Sequence, residues 1–377
     1  MSSCNEFNIK DVISHFKLYG DFIDAAAYGN GHINDTFLID YIQAGCRQRY
    51  ILQRINNIVF REPERLMENI DRICTELHRR LKEEGTADAS RRALTIVPSE
   101  SDLPYYKDEN GSYWRVYLFI EDAAGYDIVE NEEQAYQAAR AFGEFQKLLT
   151  ELPGKRLYET IPDFHNTPKR FRRFRQVIEE DSKGRAAEAA DEISFYLSFE
   201  NEVGHLLELN AKGLIPERVT HNDTKLNNVL IDTDSHRALC VIDLDTSMPG
   251  LAPYDFGDLV RTSTTASAED EKELSKVVFL PEMFKALTRG YLSTAADFLT
   301  EAELENLYFG GRLLTFETGM RFLTDFLEGD VYYKTAFPEH NLIRSRTQAE
   351  LIKQLDCHRV ELESFILEEY QKAGRGS

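Results

Sequence analysis

The chain has 377 residues, 42% hydrophobic and 29% charged, which is enough apolar material for a large core and too much for a disordered tail. A net charge of −21 argues against nucleic acid or an anionic membrane as partner, since both need a basic footprint. Cys4, Cys46, Cys74, Cys240 and Cys357 fall in no C-x-x-C spacing and read as reduced thiols. MSSCNEFNIKDVISHF lacks the basic-then-apolar order of a signal peptide, and no apolar run reaches about 18 residues, so the expected location is cytoplasmic.

Residues 21–120 have the texture of strands around one helix. FIDAAAY and DTFLID flank Gly29-Asn30-Gly31, a hairpin with a glycine-rich tip, and RYILQRIN follows as a third strand. In EPERLMENIDRICTELHRRL, Leu66, Ile70, Ile73, Leu77 and Leu81 recur three or four apart, which predicts an amphipathic helix opening near Pro63. ALTIVPS and YWRVYLFI are two further strands. EDAAGYDIVENEE is a polar connector, and beyond it helical patterns dominate over roughly 131–150, 168–210, 281–328 and 345–372. The implied plan is a five-stranded lobe with one helix, a connector, and a larger helical lobe.

One hairpin interrupts the helical half. In THNDTKLNNVLIDTDSHRALCVIDLDT (220–246), two short apolar strands are joined by DTDSHR, and their outer ends crowd His, Asp, Lys and Asn. Antiparallel pairing of 229–232 with 239–242 would set Asn228 opposite Asp243. Side chains alternate along a strand, so Asp243 and Asp245 would project to one side. Asn and Asp are ordinary turn formers. Here, however, H-x-D-x-x-x-x-N precedes an apolar strand, and a second strand ends in Ile-Asp. Oxygen donors at this density suit Mg²⁺, which takes one or two carboxylates and completes its shell with water and phosphate oxygens.

This order of catalytic Asp, amide five residues on, hairpin and second Asp resembles the protein-kinase-like fold. HNDTKLNN, VIDLDT and PYDFGDLVR are similar to the aminoglycoside phosphotransferase superfamily, and within it to the N-acetylhexosamine 1-kinases. AYGNGHINDTFLI, YILQRIN, WRVYLFIE, RVTHNDTKLNN, IDLDTSMPG, FETGMRFLTDFLEGD and FPEHNLIRSRTQ extend the likeness through most of the chain. The resemblance implies an α+β, bilobal fold: an N-terminal nucleotide-binding lobe over 1–121, built on a small antiparallel sheet, and a larger, mainly helical C-terminal catalytic and substrate-binding lobe over 122–377.

It also implies roles. Asp223 orients and deprotonates the acceptor hydroxyl, Asn228 and Asp243 hold Mg²⁺, and His221 and Asp255 brace the catalytic loop. Asp245 is either a further metal ligand or a support for one. Asp258 and Arg261 are expected to pair structurally. On the nucleotide side, Gly29 and Gly31 permit close backbone approach to phosphates, although a plain hairpin turn explains them as well. Glu121 and Ala123 lie in the stretch 120–123, where the family's hinge offers backbone groups to adenine. The third strand normally supplies a phosphate-binding Lys; Gln53 occupies that register, with Arg54 on the opposite face, and either Glu64 or Glu68 is the acidic residue of the following helix. Neutralisation then falls to Lys225 or to Mg²⁺.

On the acceptor side, His32 and Lys225 are candidate sugar-binding residues, with Lys225 also beside the catalytic Asp223. Glu317, Arg321 and Asp325 are spaced i, i+4 along an apolar helix. That spacing fits a salt-bridged stripe; the resemblance instead implies Arg321 as a sugar-pocket residue. Lys169, Arg170, Arg172, Arg173 and Arg175 read as a solvated helix face. The expectation is therefore an ATP- and Mg²⁺-dependent kinase acting on GlcNAc or GalNAc, with small-molecule partners only and no indication of oligomeric state. Alternatives are an aminoglycoside, choline or homoserine kinase on the same fold, or a nucleotide-binding module without turnover.

Overall fold

The computed structural model describes residues 7–29, 33–126 and 128–373. Along the chain come α1 (Ile9–Ser14), β1 (Asp21–Ala27), β2 (Asp35–Gln43), β3 (Cys46–Ile55), α2 (Pro63–Glu83), β4 (Ile96–Val97), β5 (Tyr106–Lys107), β6 (Tyr113–Leu118) and β7 (Ala123–Ala124). There follow α3 (Glu132–Leu148), α4 (Thr167–Glu180), α5 (Ala190–Leu197), α6 (His205–Ala211), β8 (Arg218–Thr220), β9 (Val229–Asp232), β10 (Ala238–Val241) and β11 (Met248–Gly250). The rest is helical: α7 (Ala252–Ser263), α8 (Pro281–Ala295), α9 (Glu301–Glu305), α10 (Leu307–Glu328), α11 (His340–Cys357) and α12 (Arg359–Ala373). The chain forms two compact units, one of Met1–Ala124, Glu151–Pro162 and Leu230–Met248, the other of Gly125–Thr150, Asp163–Val229 and Pro249–Ser377.

The first unit is built on an antiparallel sheet in the order β1-β2-β3-β6-β4, with β5 on the far half of β6. Phe37, Ile39 and Tyr41 alternate with half-buried residues along β2, as Tyr50 and Leu52 do on β3, so one face of the sheet is apolar. Ile9, Val12 and Ile13 of α1 pack on that face with Trp114 and Val116 of β6. This helix escapes sequence reading because six residues are too short to show a period, and β5 escapes because it has only two. On the opposite face of β6, Arg115 reaches the Met67 sulfur of α2 at 3.9 Å, and α2 buries Leu66, Ile70, Ile73, Leu77 and Leu81 as its spacing requires. The hairpin β9–β10 joins β7 in a three-stranded sheet, with Ala123 opposite Asp232.

In the second unit the expected helix over 168–210 is three helices. Asp181 ends α4 in the left-handed region and Gly184 turns there too, so the helical path cannot continue through Ser182–Arg185. The core gathers Phe171 and Phe174 of α4, Tyr196 of α5, Phe316, Met320 and Leu323 of α10, and Leu342 and Ile352 of α11. A pairing of β8 with β11 leads into α7. Helices α7 and α10 approach at backbone distance: a Cβ on Gly257 would lie 2.3 Å from the Gly310 carbonyl oxygen, and one on Gly310 would lie 2.1 Å from that of Pro253. Only glycine fits either position, and this contact fixes the helix that carries Asp255, Asp258 and Arg261.

Candidate active site

The catalytic-loop candidates lie in the second unit, and Asp255 organises them. This carboxylate is fully buried in the first turn of α7. Its Oδ2 accepts the backbone N–H of His221 at 2.8 Å and the Gln146 amide at 2.6 Å, and its Oδ1 accepts the backbone N–H of Asn222 at 2.7 Å. Tyr291 in turn donates to Gln146 at 2.6 Å, and Thr224 donates to the Asp255 carbonyl at 2.6 Å. Burial pushes the Asp255 carboxyl up, while the two backbone amides and the Gln146 side chain pull the other way. The loop is held because Asn222 adopts a left-handed conformation (φ 63°), one that Asn tolerates better than most residues.

His221 is wholly buried, with the rings of Phe142 and Phe145 edge-on at 5.2 and 5.9 Å. Its Nδ1 accepts the backbone N–H of Asp223 at 3.3 Å. Asp223 itself is half-buried. Lys225 Nζ lies 2.9 Å from its Oδ1, and Asn228 Nδ2 donates to its Oδ2 at 3.1 Å and to its backbone carbonyl at 2.8 Å. Burial would lower the Lys225 ammonium, but Asp223 outweighs that and raises it, so the charge is kept. Three of the sequence-derived residues are thus within hydrogen-bonding reach of one another.

A second charged group in the same unit surrounds Glu317. Its buried carboxylate accepts from Thr167 at 2.6 Å, lies 3.1 Å from His165 Nδ1 and stands 3.4 Å from Arg170. Burial alone would raise Glu317, but His165, Arg170 and Arg321 outweigh it and hold the carboxyl down at about 2. Arg170 therefore departs from the expected solvated face. It sits beside buried Phe171 and turns inward to Glu317 and the Phe164 carbonyl, whereas Lys169, Arg173 and Arg175 pair at the surface with Asp163, Glu328 and Glu200.

Arg321 is the unusual member. The i, i+4 stripe does not form: Glu317 is engaged as described, and Asp325 accepts the backbone N–H groups of Val331, Tyr332 and Tyr333 and the Asn341 amide. Among the described residues no side chain or carbonyl hydrogen-bonds the Arg321 guanidinium, which lies 5.8 and 5.6 Å from the ring centres of Tyr332 and Tyr333. Arg261, paired with buried Asp258 at 2.8 Å as the sequence suggested, is within electrostatic range of both Asp223 and Arg321.

The remaining candidates lie in the first unit. Asp243 is exposed, in the left-handed region (φ 59°). Asp245, two residues on, is buried: its Oδ1 pairs with Arg115 and its Oδ2 accepts from Asn34 at 2.6 Å. Gln53, in the register where Lys was expected, accepts from Arg115 Nε at 3.0 Å and donates to Thr36 at 3.0 Å. Arg54 faces the other way and pairs with Asp35. Glu64 accepts from Tyr113 and Glu68 pairs with Lys155, so neither meets Gln53. Glu121 pairs with Arg49, its carbonyl accepts from Arg91 at 2.8 Å, and Ala123 begins β7. Gly29 turns with φ 75°; Gly31 and His32 lie outside the described residues.

Sequence reasoning missed His165, Thr167, Arg170 and Arg115. The first three carry no local pattern. Arg115 did offer a signal, as the one charge inside the apolar strand YWRVYLFI.

A mixed sheet-and-helix chain with an Asp255-braced H-x-D-x-x-x-x-N loop has the architecture of kinase-like phosphotransferases, and comparison with known proteins agrees. The chain belongs to the phosphotransferase enzyme family, whose model matches residues 24–297. Its fold is similar to that of an aminoglycoside phosphotransferase from Alicyclobacillus acidocaldarius (TM-score 0.54, 14% identity, 97% of this chain and 96% of that one). A spectinomycin phosphotransferase solved with ADP and spectinomycin (TM-score 0.51, 12% identity, 94% and 99%) shares it. So does a choline kinase from Cryptosporidium parvum (TM-score 0.51, 15% identity, 94% and 97%). Among the described residues no helix is long and apolar enough to cross a membrane.

Proposed function

We propose that this phosphotransferase uses ATP and Mg²⁺ to phosphorylate the anomeric hydroxyl of an N-acetylhexosamine, GlcNAc or GalNAc, giving the sugar 1-phosphate. The observation that carries the choice of acceptor is Arg321, whose guanidinium has no hydrogen-bonding partner among the described residues. Arg321 is only partly buried, so its guanidinium donors are open to a ligand that supplies acceptors. Hydroxyl and acetamido oxygens can do so. The hydroxyls of an aminoglycoside or of choline could do so too, but Arg170 and Arg261 near Arg321 add like charge that disfavours a cationic acceptor.

In this reading Asp223 accepts the proton of the C1 hydroxyl as the oxygen attacks the γ-phosphorus in line and ADP leaves, with no covalent enzyme intermediate. Lys225 holds Asp223 in place and contributes positive charge beside the transferred group. Asn228 and Asp243 are the metal ligands. The Asn228 NH₂ is engaged by Asp223, which leaves its amide oxygen for a cation, and the Asp243 side chain is exposed. Among the described residues no group of three or more His, Cys, Asp or Glu could hold a metal. One carboxylate with one amide oxygen fits Mg²⁺, which draws its other ligands from water and phosphate. When bound, the ion would neutralise charge on the β- and γ-phosphates. Gly29, Gly31, Glu121 and Ala123 are the nucleotide-side residues of the proposal, and His32 joins Arg321 and Lys225 at the sugar.

The test is ATP consumption with Mg²⁺ over a panel of N-acetylhexosamines, aminoglycosides, choline and homoserine. Turnover confined to N-acetylhexosamines is the expected result. Turnover on a cationic acceptor would overturn the sugar assignment, and no turnover on any would favour a non-catalytic nucleotide-binding module.

A further inference from the structure

The first unit contains a buried ion pair that the reaction as described does not use. Arg115 is 1% exposed and Asp245 3%, and each is held by more than the other. In the β3–β6 pairing Arg115 stands directly opposite Gln53, to whose amide oxygen its Nε donates. Gln53 is kept in that orientation because its own NH₂ donates to Thr36. Asp245 receives Arg115 on one oxygen and Asn34 on the other, and its backbone carbonyl accepts from Thr160 at 2.8 Å. The short 3-10 turn Leu244–Thr246 is thereby tied to β6, to the segment before β2 and to the Glu151–Pro162 stretch. Asp243 is the left-handed residue that opens this turn.

A buried ion pair is weak evidence for stability, because the desolvation of two charges offsets most of their attraction. Holding the turn by an apolar contact would be simpler. What the pair adds is orientation: two directional bonds on a carboxylate two residues from Asp243, and a fixed positive charge that is also felt at Asp243. We propose that Arg115 is a positioning residue for the metal step. It acts from β6 through Asp245 to set the Asp243 carboxylate, with Gln53 of β3 fixing the orientation of the Arg115 guanidinium. Asp245 is then the anchor of the turn and not itself a metal ligand. This inference rests on the proposed role of Asp243 toward Mg²⁺.

The test compares wild type, Arg115→Met and the double variant Arg115→Met/Asp245→Asn, in the full chain. Arg115→Met leaves Asp245 buried and unpaired, so it is expected to lose thermal stability or fail to fold. The double variant removes both charges, keeps an acceptor for Asn34, and should melt close to wild type. Two readouts besides activity follow: Mn²⁺ binding in the presence of ADP, by electron paramagnetic resonance, and metal-free ADP binding by calorimetry. The expected result is a double variant of near-native melting temperature whose Mn²⁺ affinity falls by about tenfold or more, the usual effect of losing a group that orients a metal ligand, while metal-free ADP binds as in wild type. Native Mn²⁺ affinity in the stable double variant would overturn the proposal and leave the pair purely structural. A matching loss of metal-free ADP affinity would also overturn it, by making Arg115 a direct phosphate contact. If Mn²⁺ fails to bind wild type with ADP, the metal reading of Asp243 falls with it, a result distinguishable from both.

Discussion

Asp255 accepts the backbone N–H of His221 at 2.8 Å with the same oxygen that takes the Gln146 amide, while its other oxygen takes Asn222. One carboxylate on α7 thus sets two consecutive peptide units just ahead of Asp223. Asp255→Asn keeps the shape but turns one acceptor into a donor facing a buried N–H. The expected loss is ~1–3 kcal/mol of stability, together with reduced turnover. Chemical denaturation of the variant beside wild type measures the first, and an unchanged midpoint would remove Asp255 from this bracing role.

Asp223→Asn should behave differently. Its partners Lys225 and Asn228 are polar and the site is half-buried, so the fold should survive. Turnover should fall by ~10²–10⁴, the share of a positioned general base. Retention of more than about a tenth of wild-type turnover, with the melt unchanged, would exclude Asp223 as the base.

Arg321→Leu tests the acceptor side. Because Arg321 hydrogen-bonds neither Glu317 nor Asp325, and His165 and Arg170 hold Glu317 down more strongly than it does, its loss should cost less stability than breaking a close ion pair. If it binds sugar, kcat/KM for the sugar should drop ~10–100-fold while the ATP dissociation constant hardly changes. A destabilised variant with unaltered sugar kinetics would return Arg321 to a structural role.

Glu317 predicts a pH dependence. Its carboxyl is held at about 2 in the folded protein against an ordinary 4.5. A depressed carboxyl stabilises the fold above its unfolded value and loses that contribution as pH falls through the folded one. The stability gap between wild type and Glu317→Gln should therefore be full above pH ~4.5 and close between ~4.5 and ~2. Denaturant midpoints of the two proteins across that window check it; a gap independent of pH would mean that the carboxylate charge contributes nothing.

The parts of the fold with strong periodicity were legible in sequence. Helix α2 shows its apolar stripe, β2 and β3 their alternation, and the H-x-D-x-x-x-x-N loop its unusual density of polar groups at strand ends. The bracing role of Asp255 came from family resemblance and could not have come from spacing, because its partner amides are more than 30 residues away. The Glu317 cluster was invisible for the same reason: His165 and Thr167 lie about 150 positions from it in the chain. Sequence spacing even suggested the wrong partner for Arg321, since i, i+4 geometry permits an ion pair but cannot reveal that Glu317 and Asp325 are already occupied. Arg115 shows the reverse case, in which a single charge within an apolar strand marks a buried pair without naming Asp245.

The most direct test of the central claim is the chemical identity of the product. The enzyme is incubated with ATP, Mg²⁺ and GlcNAc or GalNAc, and the sugar phosphate is examined by phosphorus–proton correlation NMR. The predicted result is a phosphorus resonance coupled to the anomeric proton, marking a 1-phosphate. Coupling to the C6 protons, or no sugar phosphate from either epimer, would contradict the account.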